Sequence, residues 1–122
     1  MQEKKLLIVD DSADTLRVLQ EICEISLENL QVIARQSAQD ALELLEHEKV
    51  DLILTDIEMP EMSGVELIKH VQEKYPTLPI IVITAYQEYD NVLEEVDVDA
   101  VFYKPIIDFD LVSNTIEKLL TQ

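Results

Sequence analysis

Five residues that could carry phosphate or metal chemistry stand at the ends of short apolar runs: Asp10, Asp11, Asp56, Thr84 and Lys104. Three carboxylates held close together repel one another, and a bound divalent cation relieves that repulsion. Mg²⁺ prefers oxygen ligands and binds carboxylates together with phosphate oxygens. A carboxylate beside such a cation and an ammonium group can act as a nucleophile toward phosphorus. These residue types therefore predict a magnesium-assisted phosphoryl transfer onto an aspartate.

The elements that must position these residues are indicated by hydrophobic patterning. Five short runs of aliphatic or β-branched residues recur along the chain, at 6–9, 32–34, 52–54, 80–83 and 101–103. Continuous apolar runs of this length are typical of strands that are covered on both faces. The polar residues named above follow the first, third, fourth and fifth of these runs.

Helical periodicity fills the stretches between and after the runs. Ser37 and Asp108 are predicted to cap the starts of the second and the last helix. The predicted fourth helix, at 89–96, is shorter and more acidic than the others. Alternating strands and helices predict an α/β fold with one doubly wound parallel sheet, (βα)5, and helices on both faces. The carboxyl ends of parallel strands share one edge of the sheet, where ligands of such folds bind.

Composition narrows the classes of function. The chain has 122 residues, which suits one domain over 1–122, and its formal net charge is −17. This charge argues against binding to nucleic acid or to anionic membranes. The longest aliphatic run, 80–83, is too short to cross a bilayer. The only glycine, Gly64, cannot supply a glycine-rich phosphate loop.

The cysteine and the histidines have simpler interpretations. Cys23 is the only cysteine, so no internal disulfide can form, which favours a reducing compartment and a cytoplasmic location. Cys23 falls on the apolar stripe of the first helix and is expected to be a buried small hydrophobe. His47 and His70 fall within predicted helices away from the polar edge, and we expect both to be solvated surface residues rather than zinc ligands.

Four motifs, in order at four strand ends, make the chain resemble a response-regulator receiver domain of two-component signalling. They are Val9-Asp10-Asp11, the segment from Asp56 to Gly64 (DIEMPEMSG), Thr84-Ala85 and Lys104-Pro105. Together they are highly specific, and the resemblance extends over essentially the whole chain. It implies a sheet of strand order 2-1-3-4-5 and a cis bond between Lys104 and Pro105.

The resemblance also implies a role for each site residue. Asp56 is the expected phosphoacceptor, and Asp10, Asp11, Asp56 and the backbone carbonyl of Glu58 are the expected Mg²⁺ ligands. Lys104 is expected to pair with the phosphoryl group, and Thr84 to move toward it. The domain would assist its own phosphorylation and dephosphorylation without being an enzyme in the ordinary sense.

The partners implied are a sensor histidine kinase or a histidine phosphotransfer protein as donor, and an unknown output partner or a C-terminal output domain. The signal would leave through the surface of the predicted helix 89–96, the fifth strand and the last helix. One departure concerns this surface. Relatives often carry an aromatic residue three positions before the site lysine, where this chain has Val101, while Phe102 is predicted to face the opposite side of the sheet.

Two alternatives of other classes remain open on the sequence. An aspartate-nucleophile phosphohydrolase also uses a strand-end aspartate and Mg²⁺, but this chain has Asp10-Asp11-Ser12 where those enzymes have Asp-x-Asp. Turnover of a small phosphomonoester would favour that alternative. A receiver scaffold that works without phosphorylation usually lacks a site residue, and this sequence lacks none. Failure to be labelled by acetyl phosphate would favour the scaffold.

Overall fold

A computed structural model describes residues 3–85 and 96–121 of the chain. Within these residues lie five strands, β1 to β5, and four helices, α1 to α4. The strands are β1 (Lys4–Val9), β2 (Leu30–Arg35), β3 (Leu52–Thr55), β4 (Ile80–Thr84) and β5 (Ala100–Tyr103). The helices are α1 (Ala13–Ser26), α2 (Ala38–His47), α3 (Gly64–Lys74) and α4 (Phe109–Leu120). The predicted helix at 89–96 falls almost entirely outside the described residues.

All five strands pair in parallel in a single sheet of order β2-β1-β3-β4-β5. The predicted fold class and strand order are therefore confirmed. β1 lies between β2 and β3, and its last residue, Val9, lies opposite Arg35 on β2 and opposite Thr55 on β3. This register brings the end of β1 and the end of β3 level with each other. It fixes where the chain leaves the sheet, at Asp10 and at Asp56.

Side chains that alternate along each strand supply two separate cores, one on each face of the sheet. Leu7, Val9 and Ile53 pack under α2 and α3. Leu6 and Ile8 pack on the other face, under α1 and α4, together with Cys23, which is 1% exposed. Burial raises the pKa of the Cys23 thiol to about 11, as expected for a small hydrophobe rather than a reactive thiol.

Each described helix begins at a side-chain cap whose oxygen accepts the backbone N–H three residues later. The capping residues are Ser12, Ser37, Ser63 and Asp108. Such a cap satisfies one of the N–H groups that the first helical turn leaves without a partner. The caps predicted at Ser37 and Asp108 are confirmed. Ser12 and Ser63 start their helices close to the polar edge, so capping also fixes the loops that leave β1 and β3.

Other predictions are also confirmed. The Lys104–Pro105 bond is cis. His47 and His70 are exposed. Val101 packs against the core under α2 and α3, and Phe102 packs against the opposite core. In residues 3–85 and 96–121, no helix has both the length and the apolar character needed to span a membrane.

Candidate functional site

The carboxyl ends of β1, β3, β4 and β5 bring the predicted site residues to one edge of the sheet. Asp10, Asp56 and Thr84 are buried there, with exposed fractions of 2%, 6% and 0%, whereas Asp11 is exposed. One carboxylate oxygen from each of Asp10, Asp11 and Asp56 lies within 4.8 Å of the others. The carboxylate cluster predicted from the sequence is therefore formed by the fold.

The Lys104 ammonium group bridges the two buried carboxylates of this cluster. Its Nζ donates to Asp10 Oδ2 at 2.7 Å and to Asp56 Oδ2 at 2.9 Å. The backbone N–H of Lys104 donates to the carbonyl oxygen of Thr84 at 2.9 Å. Burial lowers the pKa of the Lys104 ammonium, but the hydrogen bonds and charges of Asp10 and Asp56 outweigh burial and leave that pKa raised. Lys104 is therefore held charged at the edge of the sheet.

Backbone amides hold the remaining oxygens of the two buried carboxylates. Asp10 Oδ1 accepts the N–H of Ser12 at 2.9 Å, where α1 begins. Asp56 Oδ1 accepts the N–H of Ile57 at 2.7 Å and the N–H of Glu58 at 3.3 Å. Both carboxylates are thus oriented by backbone groups of their own loops. The backbone of Glu58 lies beside Asp56, and its carbonyl oxygen as a metal ligand stays a prediction.

Burial raises the pKa of the Asp10 carboxyl, and the negative charge of Asp56 raises it further, while Lys104 and the Ser12 N–H lower it. Asp10 is therefore hard to ionise, and negative charges on the neighbouring carboxylates of Asp11 and Asp56 repel one another and the Asp10 charge. The donor set consists only of oxygens, and two of them come from buried groups with little solvent around them. The residues present fit a small hard cation such as Mg²⁺.

We expect the Asp10→Asn variant to be more stable than the wild type in metal-free buffer at neutral pH, by about 1 kcal/mol. The pKa of Asp10 in the folded state lies above its ordinary value of 3.8. The contribution of Asp10 to the free energy of unfolding is therefore highest below pH 3.8, where Asp10 is neutral, and it falls as the pH rises through the folded-state pKa and the buried carboxyl ionises. The asparagine side chain has no charge to desolvate and escapes that loss.

Urea unfolding across pH measures this effect. The advantage of Asp10→Asn is expected at neutral pH and should vanish below about pH 3.8. Asp97→Asn is the matched control, because Asp97 is exposed in the segment that leads into β5, at the other end of the strands. A wild type more stable than Asp10→Asn at neutral pH in metal-free buffer would contradict the electrostatic account of this site.

Two features of the site were not predicted from the sequence. Gly64, at the start of α3, approaches the loop after β3 so closely that a β-carbon there would lie 2.0 Å from the carbonyl oxygen of Asp56. The Thr55 hydroxyl donates to the same carbonyl oxygen at 2.8 Å. The signal for Gly64 was present in the sequence, since a single glycine in 122 residues stands eight positions after Asp56. For Thr55 the sequence offered no signal beyond its position before Asp56.

A statistical description of the response regulator receiver domain family matches residues 6–115 of this chain. The chain belongs to the response regulator receiver domain family. All four strand-end motifs lie within the matched residues 6–115, so the receiver domain contains all of them.

Relatives of known function share this domain. It is 35% identical over 122 residues to the DNA-binding transcriptional regulator NtrC of Proteus hauseri, covering 99% of this chain and 25% of that protein. It is 31% identical to sporulation initiation phosphotransferase F of Bacillus subtilis, covering 98% of this chain and 96% of that protein. This receiver domain therefore spans about a quarter of the transcriptional regulator and nearly all of the phosphotransferase.

Solved receiver structures have the same fold. The response regulator protein TrrA of Thermotoga maritima, solved in complex with Mg(2+)-BeF, aligns with a TM-score of 0.84 and 30% identity, covering 95% of this chain and 98% of that chain. A CheY-like receiver domain protein of Methanospirillum hungatei aligns with a TM-score of 0.85 and 32% identity, covering 97% and 94% of the two chains. The sheet order of this receiver domain is thus that of a known structural family.

Proposed function

We propose that this receiver domain accepts a phosphoryl group from a phosphohistidine donor onto the carboxylate of Asp56. One observation carries the proposal. The Asp56 carboxylate is buried at the sheet edge, lies with Asp10 and Asp11 in one cluster, and is held 2.9 Å from the Lys104 ammonium. A carboxylate in that setting is oriented for attack and stands beside a fixed positive charge.

The transfer is an attack by an Asp56 carboxylate oxygen on phosphorus. The new bond joins oxygen to phosphorus, the bond between phosphorus and the donor imidazole nitrogen breaks, and the imidazole leaves with the electron pair and takes up a proton. Lys104 is the residue that balances negative charge on the transferred group, because its ammonium already contacts Asp56. The Thr84 hydroxyl, on a residue buried at the end of β4, is the expected hydrogen-bond donor to a phosphoryl oxygen.

A metal ion belongs to the same proposal. Asp10, Asp11 and Asp56 would hold Mg²⁺, with the backbone carbonyl of Glu58 as a further ligand. When bound, Mg²⁺ supplies positive charge that stabilises the phosphoryl oxygens during transfer. The TrrA structure with Mg(2+)-BeF supports this assignment, since that protein is 30% identical to this receiver domain.

The likeness to sporulation initiation phosphotransferase F supports a histidine kinase or a histidine phosphotransfer protein as the donor. The likeness to NtrC supports an output partner or an output domain outside this chain. The signal would leave through the predicted helix 89–96, β5 and α4. The domain would assist both the transfer and the later hydrolysis of its own phosphoryl group, and it would have no separate substrate that it turns over. We place the domain in the cytoplasm.

Acetyl phosphate labelling tests the proposal. Wild type, Asp56→Asn and the control Asp97→Asn are each incubated with acetyl phosphate and Mg²⁺, and the intact mass is measured. We expect one phosphate adduct on the wild type and on Asp97→Asn, and none on Asp56→Asn, which lacks the nucleophilic oxygen pair. An adduct of equal yield on Asp56→Asn would show that the phosphoacceptor lies elsewhere.

A further inference from the structure

The peptide unit that joins Asp56 to Ile57 is held at both of its ends. Its carbonyl oxygen accepts the Thr55 hydroxyl at 2.8 Å, and its N–H donates to Asp56 Oδ1 at 2.7 Å. A peptide unit is planar, so its carbonyl and N–H turn together. Any rotation that releases the carbonyl from Thr55 also turns the N–H away from the Asp56 carboxylate.

Gly64 closes the remaining side of the same carbonyl group. A β-carbon at position 64 would lie 2.0 Å from the Asp56 carbonyl oxygen and 2.6 Å from the Ile57 α-carbon, so the backbone of α3 is packed directly against this loop. The N–H of Gly64 also donates to the carbonyl oxygen of Ile57 at 2.8 Å. The carbonyl of Asp56 is thus confined between the Thr55 hydroxyl and the start of α3.

The two residues that flank Thr55 in the neighbouring strands are apolar. Thr55 is 0% exposed, and its neighbours in register are Val9 on β1 and Val82 on β4. A valine would suit such a position by shape, yet the chain places a hydroxyl there. A buried hydroxyl without a hydrogen bond costs free energy, and this one avoids that cost by bonding to the phosphoacceptor's own carbonyl.

We propose that Thr55 is a positioning residue, whose hydroxyl fixes the peptide unit after Asp56 and thereby orients the Asp56 carboxylate. Through this unit the Ile57 N–H stays on Oδ1, and Oδ2 stays turned toward Lys104. Thr55 does not touch the phosphodonor. The effect on phosphorylation rests on the proposed function, whereas the effect on the Ile57 amide does not.

Three variants test this role. Thr55→Val keeps the shape and removes the hydroxyl, and Thr55→Ser keeps the hydroxyl. Ile53→Val removes one methylene two residues earlier, on the same face of β3, and controls for a general loss of stability. Each variant is measured for its rate of labelling by acetyl phosphate with Mg²⁺ and, without any phosphodonor, for hydrogen exchange of the Ile57 amide by NMR.

We expect Thr55→Val to slow labelling by about two- to tenfold and to speed exchange of the Ile57 amide by a similar factor, the range set by the loss of one hydrogen bond. Thr55→Ser should restore both, and Ile53→Val should change neither. The proposal is overturned if Thr55→Val matches Ile53→Val in both measurements, or if Thr55→Ser is as impaired as Thr55→Val. If the wild type is not labelled, the proposed function fails, and the amide exchange alone decides the role of Thr55.

Discussion

Gly64→Ala is expected to destabilise this receiver domain by about 3 kcal/mol or more. The added β-carbon would lie 2.0 Å from the Asp56 carbonyl oxygen and 2.9 Å from the Asp56 carbonyl carbon, and both are backbone atoms that cannot rotate away. Relief therefore requires α3 or the loop after β3 to move. The expected sign is the reverse of the usual one, since replacing glycine by alanine inside a helix ordinarily gains about 1 kcal/mol.

Urea unfolding in metal-free buffer gives the free energy of unfolding for this comparison. Glu73→Ala, an exposed position in the same helix, is the control and should stay within about 0.5 kcal/mol of the wild type. Where Gly64→Ala is folded, the displaced loop should also slow labelling by acetyl phosphate. A Gly64→Ala variant as stable as the wild type would show that the contact between α3 and the loop is not restrictive.

Mg²⁺ is expected to stabilise the wild-type domain by about 2.7 kcal/mol when its concentration is a hundred times the dissociation constant. The reason is that the folded state holds Asp10, Asp11 and Asp56 with ligand oxygens within 4.8 Å of one another, while the unfolded chain does not. Asp11→Asn should lose most of this gain. Asp11 is exposed, so the variant removes a ligand without disturbing the buried core.

Thermal unfolding with increasing Mg²⁺ at constant ionic strength measures this gain. Asp97→Asn removes the same charge at the other end of the strands and should respond to Mg²⁺ as the wild type does. Constant ionic strength matters because a chain of net charge −17 is also stabilised by general screening. A melting temperature that does not change from zero to saturating Mg²⁺ would show that the assignment of these carboxylates as Mg²⁺ ligands is wrong.

The three inner strands were predictable because they are buried on both faces. β1, β3 and β4 are nearly continuous apolar runs, which the two cores require, and their bounds differ from the predicted runs by at most two residues at either end. β5 was predicted one residue short at its start, where Ala100 is only half-buried and carries a weaker signal. The strand order, however, came from the resemblance, because local patterning does not specify which strands pair.

The site was predictable to the extent that it consists of charged side chains at strand ends. Parallel strands bring their carboxyl ends together, and so Asp10, Asp56 and Lys104 meet although they are far apart in sequence. The orientation of these groups was not predictable. It depends on the backbone N–H groups of Ser12, Ile57 and Glu58. Backbone N–H groups occur along every sequence, so the residue types do not show which of them will contact a carboxylate.

The contacts of Thr55 and Gly64 with the Asp56 carbonyl were missed for a related reason. A threonine at the end of a strand is an ordinary β-branched residue, and the direction of its hydroxyl is set by the turn that follows. The closeness of Gly64 to that turn depends on how α3 packs back onto the sheet. Both contacts are properties of the tertiary structure rather than of local sequence.

The position of the phosphoryl group tests the central claim most directly. After labelling with acetyl phosphate and Mg²⁺, borohydride reduces an aspartyl phosphate to homoserine, which peptide mass spectrometry locates in the sequence. We predict homoserine at position 56 and at no other aspartate, with none formed in the absence of acetyl phosphate. Homoserine at Asp10 or Asp11 instead, or an unmodified Asp56 in a fully folded sample, would contradict the account.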